Sequence, residues 1–107
     1  RSIKMDFETY REWTRTTAVY PKDIEETYLI LGLANEVGEF LGKAKKELRG
    51  DGVTLDDKVA ELGDVMWYIA RLFDHYDLKL IDVLHTNHVK LMDRLNRGVL
   101  KGDGDNR

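Results

Sequence analysis

Proline, the residue that interrupts helices most strongly, occurs once in this chain of 107 residues, at position 21. The strongest turn signals lie at residues 20–23, 49–52 and 75–79 and in the glycine-rich tail from Gly98. Between them, apolar residues recur at the three- and four-residue spacing of helices, and no alternating strand pattern competes. We therefore predict an all-α, four-helix bundle-like protein with helices at residues 6–16, 24–49, 55–76 and 81–96.

Local signals indicate where these helices begin and end. Asp23 with Glu26 and Thr54 with Asp57 have the spacing of capping boxes, in which two side chains bond each other's backbone N–H groups. Gly50 and Gly98 are predicted to close the second and fourth helices. The tail at residues 98–107 is too short and glycine-rich to fold by itself, so we expect it to be mobile or docked.

Length and composition predict a single domain over residues 1–107 with a modest core, since 42% of the residues are hydrophobic. Residues 1–4 precede Met5, a natural initiator, so we interpret them as an added segment and give them no role. The chain has no cysteine, which fits a reducing, cytoplasmic compartment and leaves only oxygen or imidazole ligands for a metal.

Apolar runs and net charge exclude two classes of partner. The longest apolar run, VMWYIA at 65–70, is far shorter than the roughly 20 residues that span a bilayer. A net charge of -3 argues against binding to nucleic acid, whose affinity comes mainly from neutralisation of phosphates by lysine and arginine. We expect a soluble, cytoplasmic protein with neither membrane nor nucleic acid as partner.

Helical periodicity predicts two apolar stripes that we expect to form the core. The stripe of the second helix comprises Leu29, Leu33, Val37, Phe40, Leu41, Ala44 and Leu48, and that of the third comprises Leu55, Val59, Leu62, Met66, Ile69 and Phe73.

Two acidic pairs of equal spacing flank these stripes: Glu36 with Glu39, and Glu61 with Asp64. If these helices form an antiparallel hairpin, the acidic flanks either face each other or both face away. Convergence would require a cation, because clustered carboxylates repel one another. The alternative is a solvated face, since 35% of the chain is charged and Glu39 with Lys43 is an ordinary helical ion pair.

Each acidic pair also contains a glycine, Gly38 or Gly63, although glycine costs a helix about 1 kcal/mol relative to alanine. Either a ligand or a close helix crossing would explain the need for room. Ligands restricted to oxygen favour Mg²⁺ or Mn²⁺ over zinc.

The fourth helix has basic side chains along one face. Asn87, Lys90 and Arg94 share one face and are suited to hold phosphate oxygens, while a solvated polar face is the alternative. The histidines at 75, 85 and 88 show no ligand pattern. No glutamate has a histidine three residues later, which excludes the usual di-iron carboxylate bundle.

The segments LGLANEVGEFLGKAKKELRG, ELGDVMWYIARL and NHVKLMDRLNRG, followed by GDGDNR, resemble the MazG-like nucleotide pyrophosphohydrolase family, the all-α NTP pyrophosphatases. The family pattern, E-x-x-E followed by E-x-x-D, is matched without substitution by Glu36, Glu39, Glu61 and Asp64. The resemblance implies that these four acids bind Mg²⁺, with Mn²⁺ as a substitute, and that a nucleoside triphosphate is cleaved to its monophosphate and pyrophosphate. A noncatalytic helical module with the same fold is the alternative.

The resemblance also suggests roles for other residues. Metal-activated water would attack the α-phosphate, a glutamate would take its proton, and the pyrophosphate would be held by Lys43, Asn87, Lys90 and Arg94. Residues near the first helix should frame the nucleoside, most plausibly of a deoxynucleotide: Trp13, Thr16 and Tyr20. For Trp13, core packing is the alternative. Arg107 and the tail glycines are predicted to approach phosphates, including those of a neighbouring subunit.

The third helix predicts self-association. Trp67 points away from the main stripe, so VMWYIA is apolar nearly all round and should be buried on two sides. Four short helices would not cover it. A homodimer or homotetramer would, in agreement with the habit of the family it resembles.

Overall fold

The computed structural model describes residues 4–107; of the segment that we interpreted as added, residues 1–3 lie outside this range. Four α-helices and two short 3₁₀ turns, at Thr14–Thr17 and Lys22–Ile24, form the described chain, which contains no strand. The α-helices are α1 (Phe7–Trp13), α2 (Glu25–Leu48), α3 (Leu55–His75) and α4 (Leu80–Arg97). The all-α prediction is confirmed, and both ends of each of the three long helices fall within one residue of expectation.

The two predicted capping boxes have different outcomes. At α3, Asp57 N–H donates to Thr54 Oγ1 (3.2 Å) and Thr54 N–H donates to Asp57 Oδ2 (2.9 Å), which confirms the box. The box predicted for α2 is wrong, because a 3₁₀ turn precedes the helix and Ile24 occupies the cap position without a side-chain bond. Tyr76 Oη donates to Glu26 Oε2 (2.6 Å), so Glu26 contacts the end of α3 instead.

Contacts at both ends show that α2 and α3 form an antiparallel hairpin. Near the connecting loop, Lys58 Nζ lies 2.8 Å from Glu47 Oε1. At the opposite end, His75 Nδ1 lies 2.6 Å from Glu25 Oε1. The loop turns at Gly50, whose φ of 78° lies in the left-handed region that glycine adopts without strain.

Two compact units divide the chain: the first ends at Asp77 and contains α1 to α3, and the second is Leu78–Arg107, with α4 and the tail. In the first unit α1 packs on α3, where the Phe7 and Phe73 rings meet edge to face with centroids 5.0 Å apart. In the second unit α4 ends at Gly98 in a left-handed conformation. That both units belong to one domain stays a prediction.

The apolar stripes expected to form the core are largely exposed, and this corrects the sequence interpretation. Leu29 is fully buried, but exposed fractions reach 60% at Leu41 and 72% at Leu55. The other exposed stripe residues on the hairpin are Val37, Leu48, Val59, Leu62 and Met66. We call these seven exposed residues the hairpin apolar face. Along residues 4–107, no helix combines the length and apolar character that crossing a membrane requires.

Trp67 is half-buried and contacts residues of its own unit, while its cover by a second subunit stays a prediction. Its Nε1–H donates to Thr17 Oγ1 (2.7 Å), and its ring meets those of Tyr20 and Tyr68 edge to face, at centroid distances of 6.2 and 4.9 Å. The connection between α1 and α2 therefore covers part of the Trp67 side chain, a contact that the helical pattern alone did not reveal.

Candidate functional site

The α2–α3 hairpin brings together three of the four predicted acids. Glu36, Glu61 and Asp64 each offer a carboxylate oxygen, and the three oxygens lie within 4.8 Å of one another. For these residues the acidic flanks face each other, and the alternative in which both face away is wrong. We call the three residues the acidic triad. Glu36 and Glu61 are half-buried, and Asp64 is exposed.

Glu39 lies outside the triad and is exposed, but its charge still reaches Glu36. The pKa of the Glu36 carboxyl is raised above its ordinary value, first by burial and then by the negative charges of Asp64, Glu61 and Glu39. Burial and like charges both disfavour the ionised form. Bringing these acids together therefore carries an electrostatic cost that a bound cation would remove.

The ring of Tyr68 lies against Gly32 at one end of the triad. A β-carbon at position 32 would fall 2.1 Å from Tyr68 Cε1, so only glycine admits the ring there. Gly32 precedes Glu36 by one turn of α2, and Tyr68 follows Asp64 by one turn of α3. The pKa of the Tyr68 hydroxyl is raised by burial, with smaller contributions that include the charges of Glu36 and Asp64.

A second phenol borders the acids from α1. Burial, followed by the charge of Asp64, raises the pKa of Tyr10. The sequence pattern did not single out Tyr10 or Gly32 as site residues. A glycine one turn before Glu36, opposite an aromatic residue one turn after Asp64, was the available signal.

The two glycines inside the acidic pairs have open surroundings. Apart from its own helix and chain neighbours, a β-carbon at Gly38 or Gly63 would meet no atom of the described chain within 4 Å. A close crossing of α2 and α3 at these positions is therefore wrong as an explanation. The close approach lies at Gly32 instead.

Lys43, a predicted phosphate ligand, is half-buried near the start of α3. The pKa of Asp57 is lowered mainly by the backbone and side-chain hydrogen bonds from Thr54, with a smaller contribution from the charge of Lys43. The structure thus places this lysine within electrostatic reach of the α3 N-terminus.

The three predicted nucleoside contacts have unlike environments. Trp13 is 50% exposed and stacks on Tyr10 at a centroid distance of 6.0 Å, so core packing does not describe it. Thr16 is exposed and its hydroxyl donates to the Trp13 carbonyl (2.8 Å). Tyr20 is buried, its ring stacks on Tyr28, and its hydroxyl donates to Glu25 Oε2 (2.5 Å).

Sequence reasoning missed Arg71, a buried arginine that contacts Tyr20, Asp74 and Glu25. Arg71 is 4% exposed; its Nε–H donates to Tyr20 Oη (3.2 Å) and its Nη1–H donates to Asp74 Oδ2 (2.9 Å). Arg71 Nη2 lies 3.6 Å from Glu25 Oε2. The signal available was an arginine inside an otherwise apolar helical run, which needs buried acceptors.

The predicted phosphate ligands of α4 lie in the second unit. Asn87 and Lys90 are exposed, as a solvated face would be, but Arg94 is 4% exposed. Lys90 Nζ and Arg94 Nη2 both contact Asp105 Oδ1, at 3.2 and 3.1 Å. This unit also has a cavity of about 360 Å³ lined by Leu78, Asp82, Val83, Thr86, Asn87 and Lys90.

The three histidines, none of which showed a ligand pattern in the sequence, lie in two different environments. His85 and His88 are exposed residues of α4. His75 contacts Glu25, as described above, so it belongs to the polar network around Arg71.

Comparison with known proteins finds one informative similarity. The Gene 37 protein of Mycobacterium phage L5 is 44% identical over 114 residues, an alignment that covers 96% of this chain and 100% of that protein. No protein-family model matches the chain. No solved structure matches it either.

Proposed function

This chain belongs to the family of the Gene 37 protein of Mycobacterium phage L5, and we propose that it is a Mg²⁺-dependent nucleoside triphosphate pyrophosphohydrolase of the MazG-like kind. The reaction converts a triphosphate, most suitably a deoxynucleotide, and water to the monophosphate and pyrophosphate by attack on the α-phosphate. The observation that carries the proposal is the acidic triad of Glu36, Glu61 and Asp64. The resemblance of the surrounding segments to that enzyme family supplies the reaction.

The donor set of the triad fits Mg²⁺. The three carboxylate oxygens lie within 4.8 Å of one another and are hard donors of the type that Mg²⁺ prefers, so Glu36, Glu61 and Asp64 would hold the ion. Burial, followed by the negative charges of Asp64, Glu61 and Glu39, raises the pKa of Glu36, and a cation would offset both effects. A divalent ion bound there would neutralise the triphosphate and polarise the α-phosphorus, and Mn²⁺ would serve as a substitute.

Different residues of the chain would then bind the metal, the pyrophosphate and the nucleoside. Glu36, Glu61 and Asp64 form the centre of the site, Glu39 is its fourth acid, and a glutamate of this group accepts the proton of the attacking water. In this proposal the candidate ligand of the departing pyrophosphate in the first unit is Lys43, and the candidates in the second unit are Asn87, Lys90 and Arg94. Exposed Trp13 and Thr16 remain available to contact the nucleoside, whereas the burial of Tyr20 suits it to hold that region in place.

We also propose that the protein is a homodimer or a pair of dimers. The support is the hairpin apolar face, whose seven residues are 39% to 90% exposed. Monomeric soluble proteins rarely leave a large contiguous apolar surface uncovered. A second copy packed on this face would provide the buried layer that an isolated hairpin lacks.

The direct test of catalysis replaces Glu61 with glutamine, which removes one ligand charge and preserves shape. The variant is expected to lose turnover while retaining the helical circular dichroism spectrum of the parent. Most of the activity surviving in a folded variant would contradict the assignment.

A further inference from the structure

The C-terminal tail forms a closed loop on the end of α4, held by main-chain contacts of one arginine. Arg107 donates from Nε to the carbonyl of Val99 (3.1 Å), from Nη1 to that of Gly104 (2.6 Å) and from Nη2 to that of Leu100 (3.2 Å). In return, Arg97 Nη2 donates to the carbonyl of Arg107 (2.5 Å). Arg107 is thus used inside its own tail and not as a free phosphate ligand.

Two tail glycines are required by this loop. A β-carbon at Gly102 would fall 2.6 Å from Arg107 Cδ, so the arginine stem passes where a side chain would be. Gly104 has a φ of 76°, a left-handed conformation that other residues rarely adopt. The sequence GDGDNR therefore forms a loop docked on the end of α4 in this structure.

The loop presents Asp105 to the cations of α4. One oxygen, Oδ1, contacts both Lys90 Nζ and Arg94 Nη2. The two ends of these contacts differ in burial: the Asp105 side chain is 81% exposed and that of Arg94 is 5% exposed. Hydrogen bonds from Arg94 and then Lys90 lower the pKa of Asp105, so it is an anion at neutral pH.

We propose that Asp105 is an autoinhibitory internal anion, which a phosphate group must displace in order to bind Lys90 and Arg94. Within residues 4–107, Asp105 is the anion in contact with the Arg94 guanidinium. A buried guanidinium without an anion is costly, so the site is kept filled until a stronger ligand arrives. Phosphate offers more charge and more acceptor oxygens than a carboxylate.

Displacement does not require the tail to unfold. The carbonyls bound by Arg107 and the contact of Arg97 with the chain end do not involve the Asp105 side chain. An exposed carboxylate can rotate into water while the loop stays closed. The inference concerns anion binding by the second unit and stands whether or not the chain hydrolyses triphosphates.

Calorimetric titration with inorganic pyrophosphate, in EDTA and on the full chain, tests the proposal. Asp105→Asn should bind pyrophosphate about fivefold more tightly than the parent, because its side chain no longer competes as an anion for Lys90 and Arg94. Asp103→Asn is the matched control, because it makes the same charge change in the same exposed tail without touching Lys90 or Arg94. Equal affinities for the two variants, or weaker binding by Asp105→Asn, would overturn it.

A measurement on the unmodified chain avoids any effect of substitution on folding. Carbon NMR of the aspartate carboxyls reports the pKa of Asp105 with and without pyrophosphate. Displacement should return this pKa toward the ordinary aspartate value of 3.8. An Asp105 pKa that stays low while pyrophosphate is bound would show that the carboxylate is not displaced.

Discussion

The ring of Tyr68 occupies the space that a side chain on Gly32 would need, with 2.1 Å separating Tyr68 Cε1 from the position of a β-carbon. This contact fixes the spacing of α2 and α3 one turn away from both Glu36 and Asp64. The geometry of the acidic triad therefore depends on a residue that has no side chain.

Gly32→Ala is expected to destabilise the fold by about 1–3 kcal/mol, the usual cost of forcing a methyl group into a packed contact. Urea unfolding measures it. Gly42→Ala on the same helix is the control, because its β-carbon would meet nothing within 4 Å. That variant should gain up to about 1 kcal/mol from helix propensity. A Gly32→Ala variant as stable as the control would show that Tyr68 does not pack as described.

Glu36→Gln is expected to raise the melting temperature at neutral pH when divalent ions are absent. In the folded protein the pKa of the Glu36 carboxyl lies above its ordinary value of 4.5. The stability that this group contributes is therefore fully present below pH 4.5 and is lost as pH rises through its pKa in the folded protein. The advantage of the variant should therefore vanish as pH falls below 4.5. A variant less stable than the parent at neutral pH would contradict the electrostatic cost assigned to the triad.

Added Mg²⁺ should make the parent protein more stable than Glu36→Gln. The parent gains stability by mass action when an ion binds only the folded state, by about 2.7 kcal/mol at a concentration one hundred times the dissociation constant. Glu36→Gln should gain much less. Thermal melts with Mg²⁺ and with EDTA make the comparison, and equal gains in both proteins would remove Glu36 from the proposed metal site.

Arg71→Ala is expected to cost about 3 kcal/mol or more, because it leaves Glu25 and Asp74 without their buried cation. Arg15→Ala provides the contrast: its guanidinium also contacts Asp74 (2.8 Å) but is 56% exposed, so solvent screens the ion pair and its loss should cost far less. Denaturant midpoints measure both. If the two variants lost equal stability, the buried network would not be the support of the α1–α2 connection.

Leu41→Glu should dissociate the proposed dimer, because it places a charge on the hairpin apolar face, where Leu41 is 60% exposed. Val19→Glu is the matched control, since Val19 is 91% exposed but lies outside that face. Light scattering at micromolar concentration reports the mass. A monomeric parent protein, or a Leu41→Glu variant that keeps the parent mass, would count against the proposed interface.

Patterns local in sequence predicted this fold well. Apolar periodicity located the long helices, and the spacing of Thr54 and Asp57 correctly indicated a capping box, because both signals arise within a few residues. The acidic triad could be predicted for the same reason, because equal spacing on two neighbouring helices left only two arrangements to consider.

Contacts between distant parts of the chain could not be predicted from the sequence. The hydrogen bond between Arg71 and Tyr20 joins residues about fifty positions apart, and no local sequence pattern near either residue predicts it. Periodicity likewise identified apolar stripes but not what covers them, so residues such as Leu41 were taken for core. The contact of Asp105 with Arg94 was hidden because both residues looked solvated in sequence.

Release of pyrophosphate is the measurement that tests the central claim most directly. The full chain would be incubated with a panel of canonical and modified deoxynucleoside and ribonucleoside triphosphates, in Mg²⁺ and in EDTA. The account predicts equal amounts of monophosphate and pyrophosphate from at least one triphosphate, in Mg²⁺ only. Folded protein that releases no pyrophosphate from any of them, or releases orthophosphate instead, would contradict it.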